Sequence, residues 1–503
     1  MKKIFIITLV LFATCASAQT FEEQFRAFQQ SAQQDYTDFR DEVNQKYANF
    51  LRGAWEYFKQ APAISRPKED QVPPIVYDEQ KQKQEKKQQQ QEQQQQEQQQ
   101  QEQQQQEQEE KQIAIEEIPM PAPAPKPQPV APIEENTSPS NTLTVMYQGT
   151  SFSFRVPTRR IALHHTDGDA LAKAWEFIST DEYDNLLYDC VNNKDNFRLC
   201  DWAYFELIEI LCKKMYGDSN EATFLQAYIL AQTGYAMRLA KDNASDRLHV
   251  LVGSNYQIYE RRYFRLNGTN FYPLVPSQTD LYICSGYFEN EQPFTLDINP
   301  EQGLKQNSST MKTRTSSMNV NASCTINLNA INFYNTYPSG QFNDDFGTRW
   351  AVYANAPMEE CVRQSLYPTL KQAIRGVPEA QAVSKLLNWV QTAFEYEYDD
   401  KVWGQDRAFF PSESLYYPYC DCEDRSILFS RIVRDLLNLD VVLLYYPGHL
   451  ATAVAFHQDV KGDYIILDGR KYIVCDPTYI GAPIGLTMPG MDNQTAKAIK
   501  LTK

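Results

Sequence analysis

The sequence predicts an α+β protein, because segments with helical spacing of apolar residues lie beside short apolar runs that end at turn residues. The clearest case is near the C-terminus, where a helical pattern after Cys422 precedes two pairs of apolar runs. Pro447-Gly448 separates the runs of the first pair, and Asp468-Gly469 separates those of the second. The runs that we interpret as strands are 441–446, 451–456, 464–467 and 472–475. This order predicts a helix packed on an antiparallel sheet.

Residues 1–18 have the pattern of a secretory signal peptide. Lys2 and Lys3 give a positive start, an apolar run follows, and Ala16-Ser17-Ala18 forms a small-residue cleavage site. No later stretch reaches ~18 apolar residues, the length that a membrane-spanning helix needs. We therefore expect an exported protein without a transmembrane segment, secreted or held in the periplasm or cell envelope.

Charge and cysteine content narrow the classes of partner. The net charge of −16 argues against nucleic acid as the main partner. Ten cysteines include Cys15 in the signal, so nine remain in the mature chain. Export permits disulfides, and an odd number leaves at least one thiol unpaired.

Residues 19–62 are predicted to form a long amphipathic helix, with large apolar residues at steps of three and four. Self-association as a coiled coil and docking on the protein's own surface both fit this pattern. Residues 63–140 are predicted to be a disordered linker, because Gln and Glu dominate 80–112 and a Pro-rich stretch follows.

Residues 141–356 are predicted to be a middle domain of helices and strands. A strand pair at 142–156 turns at Gln148-Gly149, and Asn267-Gly268 predicts a hairpin. The predicted helices are 170–178, 202–215 and 221–230, and the later predicted strands are 248–252, 263–266, 271–274 and 349–355. Residues 300–330 fit either a loop or solvent-facing strands. The last domain, 357–503, opens with a helix near Pro378.

Three residues of the last domain have the chemistry of a cysteine nucleophile and its partners. Cys422 is predicted to lie at a helix N-terminus, where the helix dipole and backbone N–H groups would lower the pKa of its thiol. His449 enters a strand and Asp476 ends one. If the fold brings them together, His449 would deprotonate the thiol and Asp476 would orient the imidazole.

These motifs resemble the transglutaminase-like superfamily over about residues 357–490. The resemblance rests on Asp421-Cys422-Glu423-Asp424 before a helix, Pro447-Gly448-His449 before a strand, and Asp476-Pro477-Thr478-Tyr479. It implies a papain-related fold with Cys422 as nucleophile, His449 as base and Asp476 as orienting residue.

The acidic residues beside Cys422 also resemble those of bacterial transglutaminase-like cysteine proteinases, in which flanking acids hold calcium. Cys420 stands where that family usually has Gly, and the spacing from His449 to Asp476 is long. A solvated acidic turn is therefore our preferred interpretation, and no cofactor is assigned.

Each candidate has a structural alternative. Cys420 and Cys422 could form disulfides with other cysteines such as Cys475, and Cys420 could itself be the nucleophile. His457 competes with His449, although its place beside a polar turn predicts a surface residue. In some transglutaminases an upstream Trp assists the oxyanion, and Trp403 lies upstream of Cys422 here. We interpret Trp403 as a groove-lining or core aromatic. The tyrosines 416, 417 and 419 are predicted to wall the active-site cleft.

The middle domain contains a weaker copy of the same order. A helix opens at Asn220, His249 follows in a strand, and a hairpin follows that strand. Asn220 and His249 are 29 residues apart, against 27 for Cys422 and His449. The hypothesis is a degenerate repeat kept for structure or binding, and the alternative is an unrelated helix–strand domain.

The sequence thus predicts an exported enzyme that uses a cysteine nucleophile to hydrolyse or transfer amides of peptides or proteins through an acyl-enzyme. The competing hypothesis is a non-catalytic binding or assembly protein of the cell envelope on a transglutaminase-like scaffold.

Overall fold

The protein is a mixed α+β structure built mainly from antiparallel sheets. A computed structural model describes residues 37–68, 72–78, 115–118, 125–242, 244–298, 302–306, 308–342, 345–491 and 496–502. The predicted signal peptide, residues 19–36 of the predicted N-terminal helix and the whole Gln- and Glu-rich stretch 80–112 lie outside these residues. Within them, no helix combines the length and the apolar character needed to cross a bilayer.

Twelve helices are described. They are α1 (37–53), α2 (Gly168–Ile178), α3 (Asp181–Asn196), α4 (Asp201–Tyr216), α5 (Asn220–Gln232), α6 (Leu328–Thr336), α7 (Thr348–Asn355), α8 (Glu360–Ile374), α9 (Glu379–Thr392), α10 (Asp399–Val402), α11 (Pro411–Tyr416) and α12 (Cys422–Leu437).

The strands of the first three quarters of the chain are β1 (Trp55–Phe58), β2 (Glu116–Ile118), β3 (Ser140–Tyr147), β4 (Thr150–Pro157), β5 (Met237–Asp242), β6 (Arg247–Ser254), β7 (Tyr256–Ile258), β8 (Phe264–Leu266), β9 (Thr269–Pro273), β10 (Leu281–Cys284), β11 (Ser309–Thr315), β12 (Asn321–Asn327) and β13 (Gly340–Phe342). The remaining strands are β14 (Glu395–Tyr396), β15 (Tyr419–Cys420), β16 (Asp440–Tyr446), β17 (His449–Ala455), β18 (Tyr464–Leu467), β19 (Arg470–Cys475) and β20 (Lys497–Ile499).

Two six-stranded sheets form the framework. The middle sheet has the order β1-β10-β5-β6-β9-β8, and the C-terminal sheet has the order β18-β19-β17-β16-β20-β2. All neighbours are antiparallel except β2 and β20. Helix α5 packs on β5 and β6, and α12 packs on β16 and β17. We call the middle sheet with its helices the middle unit, and the C-terminal sheet with its helices the C-terminal unit. One continuous core joins them and includes the fully buried side chains of Trp175, Trp350 and Trp389.

The predicted elements around Cys422 are confirmed. Asp421 caps α12 by accepting a hydrogen bond from the Asp424 N–H, and the Asp424 carboxylate accepts one from the Asp421 N–H. This reciprocal cap fixes the start of the helix at Cys422. Gly448 has φ 76°, which permits the tight turn between β16 and β17 and sets Tyr446 opposite His449.

The prediction of one helix over 19–62 is wrong beyond residue 53, because 55–58 form strand β1 at the edge of the middle sheet. Aromatic residues such as Trp55 and Phe58 suit a strand as well as a helix. The described part of the helix docks on the protein itself. Tyr47 stacks on Phe288 with 4.7 Å between ring centroids, and Leu51 is fully buried.

The prediction of a disordered linker over 63–140 is wrong at both ends. Residues 116–118 form strand β2, with Ile118 buried against the C-terminal sheet. Residues 72–78 lie against the same unit through a bridge between Val76 and Ile480. The sequence did not predict these two contacts, because the few apolar residues that make them lie in a Glu- and Pro-rich context.

Residues 349–355 form helix α7, not the predicted strand. Residues 348–354 are all buried, so the segment lacks the polar face by which a helix is recognised from sequence. Helix α3 was not predicted, and the hairpins at 142–156 and at Asn267-Gly268 are confirmed.

Candidate active site

The Cys422 thiol lies at the first residue of α12, as predicted. It is 8% exposed. All nine described cysteines, including Cys420 and Cys475, have free thiols. The disulfide alternative for Cys422 is therefore not what the structure shows.

His449 and Asp476 form a buried pair. His449 Nε2 lies 2.9 Å from Asp476 Oδ2, and the two residues are 1% and 3% exposed. The other oxygen, Asp476 Oδ1, accepts hydrogen bonds from the backbone N–H groups of Thr478 and Tyr479 at 2.8 and 3.1 Å. The carboxylate is thus held in place from behind, and it fixes the orientation of the imidazole.

The second imidazole nitrogen of His449 is available for a further hydrogen bond. Among the described residues, His449 Nδ1 is buried and has no hydrogen-bond partner. His449 and Cys422 line the same cavity, which has a volume of about 350 Å³. The fold therefore places Cys422 and His449 on the wall of one cavity and pairs His449 with Asp476.

The thiol itself is bonded to an acid rather than to the histidine. Cys422 Sγ donates to Glu423 Oε2 at 3.5 Å. Burial, then the charges of Glu423 and Asp421, raise the pKa of the Cys422 thiol well above its usual value, although the Leu450 backbone N–H opposes this. The expectation that the helix N-terminus lowers this pKa is therefore wrong for this state, since burial and neighbouring acids outweigh the dipole.

Acidic residues crowd the same end of α12. Asp399, Asp406 and Glu423 have carboxylate oxygens within 4.8 Å of one another, as do Asp399, Asp421 and Asp424. Burial, followed by the charge of Glu423, raises the pKa of Asp399 to about 8. The prediction of a solvated acidic turn is wrong, because the acids that flank Cys422 are buried.

Helix α7 supplies a cation to this cluster. Arg349 is 4% exposed and pairs with Asp406 at 2.6 Å. Sequence reasoning missed Arg349 because it assigned the segment to a strand. It missed Asp399 and Asp406 because the short helix α10 and the loop after it show little regular pattern. The cue available was the density of acids between residues 397 and 406.

The aromatic wall of the cavity differs from the predicted one. Tyr396, Tyr398 and Trp350 line the cavity, whereas the tyrosines 416, 417 and 419 are not among its lining residues. Tyr417 instead packs on Trp403, at 4.8 Å between ring centroids. This agrees with the interpretation of Trp403 as a packing aromatic. The indole N–H of Trp350 has no partner among the described residues.

His457 is a surface residue, as predicted. Its side chain is 67% exposed and its Nδ1 lies 2.8 Å from Glu379 Oε2. It is therefore not part of the cavity that contains Cys422.

Comparison with known proteins adds nothing to these observations. Neither a family sequence model nor a curated protein sequence matches the chain.

Proposed function

We propose that this protein is an exported thiol enzyme with a papain-related, transglutaminase-like fold that acts on amide bonds of peptides or proteins. The observation that carries the proposal is the buried His449–Asp476 pair. Its Nδ1 has no hydrogen-bond partner among the described residues, and His449 lines the same cavity as Cys422, the first residue of a helix. A nucleophile, a base and a residue that orients the base are the parts that acyl transfer needs.

The reaction follows from these roles. His449 Nδ1 takes the proton from Cys422, and the sulfur attacks the carbonyl carbon of the substrate amide. The carbon–nitrogen bond breaks, and the leaving amine takes the proton from His449. A thioester remains on Cys422. Water or a second amine then attacks the thioester, donates its proton through His449, and releases the acid or the new amide with the free thiol.

The thiol must turn away from Glu423 for this sequence to begin. In the described state the Cys422 thiol donates a hydrogen bond to Glu423. The first step is therefore a change of the Cys422 side-chain rotamer toward His449 Nδ1. Such a rotation is small compared with a movement of secondary structure, and it is compatible with the open position on His449.

The acidic residues beside Cys422 fit a calcium ion. Carboxylate oxygens are its preferred ligands, and Asp399, Asp406 and Glu423 offer three of them close together. Glu423 Oε1 is buried and has no hydrogen-bond partner among the described residues. Burial of a charged carboxylate oxygen costs free energy unless a cation or a hydrogen-bond donor contacts it. We propose that these residues would hold the ion, which would neutralise the negative charge beside the thiol.

Alkylation of the purified mature protein tests the proposal. Cys422 is expected to react with iodoacetamide faster than the other eight described cysteines, as measured by peptide mass spectrometry. His449→Ala should slow this reaction by about 100-fold, because the base is lost. His457→Ala is the matched control and should leave the rate unchanged, since His457 lies on the surface.

The same measurement decides between an enzyme and a scaffold. A non-catalytic binding or assembly protein predicts that Cys422 reacts no faster than the other buried thiols and that His449→Ala has no effect. Both results together, in the wild-type protein and in variants that expose Cys422, would exclude the thiol chemistry proposed above.

A further inference from the structure

The active-site cavity has lining residues that come from neither six-stranded unit. Pro67, Lys68 and Val72 lie on its wall together with Cys422 and His449. They belong to a segment that precedes the Gln-rich tract, and we call its described residues, 61–68 and 72–78, the strap.

The first part of the strap is attached to the middle unit. Ala61 and Ile64 form bridges with Tyr263 and Tyr259. Arg66 then donates to the backbone oxygen of Asp406, at the edge of the acidic cluster, at 2.5 Å. The strap thus reaches the wall of the cavity from the middle unit.

The second part is attached to the loop that follows Asp476. Tyr77 N–H donates to Ile480 O, and Ile480 N–H donates to Ile75 O, each at 2.9 Å. Ile75 and Tyr77 pack on the small apolar cluster around Tyr479, and the Tyr77 and Tyr479 rings meet edge to face at 5.8 Å. These are the contacts of an extended peptide added alongside an exposed backbone.

The acidic residues of the cavity wall favour a basic group in the cavity. Asp399, Asp400, Asp406, Asp421 and Glu423 line it, and Arg349 and Lys68 are its cationic side chains. Arg349 is already paired with Asp406. A cavity with this excess of carboxylates favours a basic side chain, and Lys68 of the strap is one.

We propose that the strap is an intramolecular occupant of the substrate cleft, and that the substrate is an extended polypeptide with a basic residue, which binds along the same route when it displaces the strap. This inference rests on the proposed function for the meaning of "substrate". It goes beyond that function in naming the polypeptide class and in describing a latent state.

The latent state follows from covalent attachment. A tethered segment competes at a high effective concentration, so a free polypeptide must displace it or the strap must be detached first. The described state agrees with latency, because Cys422 is buried and bonded to Glu423 while the strap is in place.

Detaching the strap by substitution tests the inference on the full mature chain. Ile75→Asp combined with Tyr77→Ala removes the apolar contacts with the Tyr479 cluster. The iodoacetamide rate at Cys422 is expected to rise about tenfold or more, because an intramolecular competitor is released. Val76→Ala is the matched control, since the Val76 side chain is 70% exposed on the same stretch, and it should leave the rate unchanged.

Peptide binding gives a readout that does not depend on the thiol. A fluorescent synthetic peptide of residues 59–78 should bind the double variant and not the wild-type protein, as followed by fluorescence anisotropy. The same peptide with Lys68→Glu should bind more weakly, and the difference should shrink at high salt. Circular dichroism checks that the variant is folded.

The outcomes separate the two proposals. If Cys422 is unreactive in every variant but the peptide binds only the double variant, the proposed function fails, and the inference that the strap occupies the cleft still holds. If wild-type Cys422 reacts rapidly with dependence on His449, while the double variant shows neither a faster rate nor peptide binding, the function stands and the strap inference is overturned.

Discussion

The middle and C-terminal sheets have the same topology. In each sheet the strand that comes last in the sequence, β10 or β20, lies between an N-terminal strand and the first strand of a hairpin. The second strand of that hairpin, β6 or β17, pairs with the later strand of a second hairpin, β9 or β19. The orders β1-β10-β5-β6-β9-β8 and β2-β20-β16-β17-β19-β18 therefore correspond strand by strand. They differ in direction at one place, because β1 is antiparallel to its neighbour whereas β2 is parallel.

Interactions between the helix N-termini and the neighbouring strands align the two units residue by residue. The Asn220 side-chain oxygen accepts from the Leu248 N–H at 3.0 Å, and at the corresponding place the Leu450 N–H acts on the Cys422 thiol and favours a lower pKa. Asn220 therefore corresponds to Cys422. Arg247, and not His249, corresponds to His449, since both pairs are 27 residues apart.

Strand register gives the third correspondence. Thr452 lies opposite Cys475, and Val250 accepts from the Leu274 N–H at 3.0 Å. The next residues are Asp476 and Val275. The middle unit thus has Asn, Arg and Val where the C-terminal unit has Cys, His and Asp. The shared topology supports the hypothesis of a degenerate repeat and corrects its alignment of His249.

The difference shows which parts of the design are structural. Both units keep a helix whose first residue lies beside a backbone N–H of the second hairpin strand. Only the C-terminal unit adds groups that can exchange a proton. Four substitution pairs, ordered from the largest expected effect, test this division.

Asp476→Asn should lower the rate of Cys422 alkylation at least tenfold, because an amide no longer fixes the required imidazole tautomer. The amide oxygen can still accept from the backbone N–H groups of Thr478 and Tyr479, so the fold should persist. Val275→Ala, at the corresponding position, should leave the rate within twofold. Equal effects of the two changes would show that Asp476 acts only through stability.

Arg425→Ala should lower the free energy of unfolding by about 2–4 kcal/mol in urea titrations. Arg425 is 1% exposed and donates to the backbone oxygens of Gln391 and Phe394 at 3.0 and 2.9 Å. Its removal leaves two carbonyls unsatisfied. Thr223→Ala, at the corresponding position of α5, should cost about 0.5 kcal/mol. A loss below 1 kcal/mol for Arg425→Ala would contradict this role.

Calcium should raise the melting temperature of the wild-type protein by a few degrees at a concentration near 100 times its dissociation constant, where ligand binding adds about 2.7 kcal/mol. Glu423→Gln should abolish the rise. Glu221→Gln is the matched control, because Glu221 holds the same position in α5 and accepts from the Leu163 N–H instead. A calcium effect that survives in Glu423→Gln would place any ion elsewhere.

Glu413 should make the protein less stable as the pH rises. Burial raises the pKa of Glu413 to about 7 despite its bond with Arg407. The folded protein therefore binds this proton more tightly than the unfolded chain does, and the associated stability is lost as the pH rises from about 4.5 through 7. In Glu413→Gln the melting temperature should change less between pH 5 and 8.

Asp184 in the middle unit offers the smaller comparison. Burial raises the pKa of Asp184 to about 6, against the opposing charge of Arg40. Asp184→Asn should reduce the pH dependence in a lower window, from about 4 to 6. The same pH profile for the wild type and both variants would contradict the role of burial in these shifts.

Much of the site could be predicted because its parts are local. Helical spacing after Cys422 and the Pro447-Gly448 turn placed the thiol and His449 at the ends of neighbouring elements, and the structure confirms both placements. The pairing of His449 with Asp476 was also inferred from order. These features depend on periodicity and turn chemistry, which a single sequence displays directly.

The parts that escaped prediction depend on distant segments. The acidic cluster beside the thiol includes Asp399 from α10 and Asp406 from the loop after it, and Asp406 pairs with Arg349 from α7. The buried surroundings of α7 hid its helical character. The strap and β2 were missed because a few apolar residues in a polar, Pro-rich context give little signal. Burial, which reversed the expected direction of the Cys422 pKa, is a property of the assembled fold.

The described segments on either side of the Gln-rich tract lie on the same unit. Asp78 follows the strap residues bridged to Ile480, and β2 pairs with β20 of the same sheet. The 36 residues 79–114 therefore connect two described segments of the same unit. One cut anywhere between residues 79 and 114 would give two polypeptides that stay associated through the folded core, and it would free the C-terminal end of the strap. Processing of the tract would then be visible on a denaturing gel but not by size exclusion.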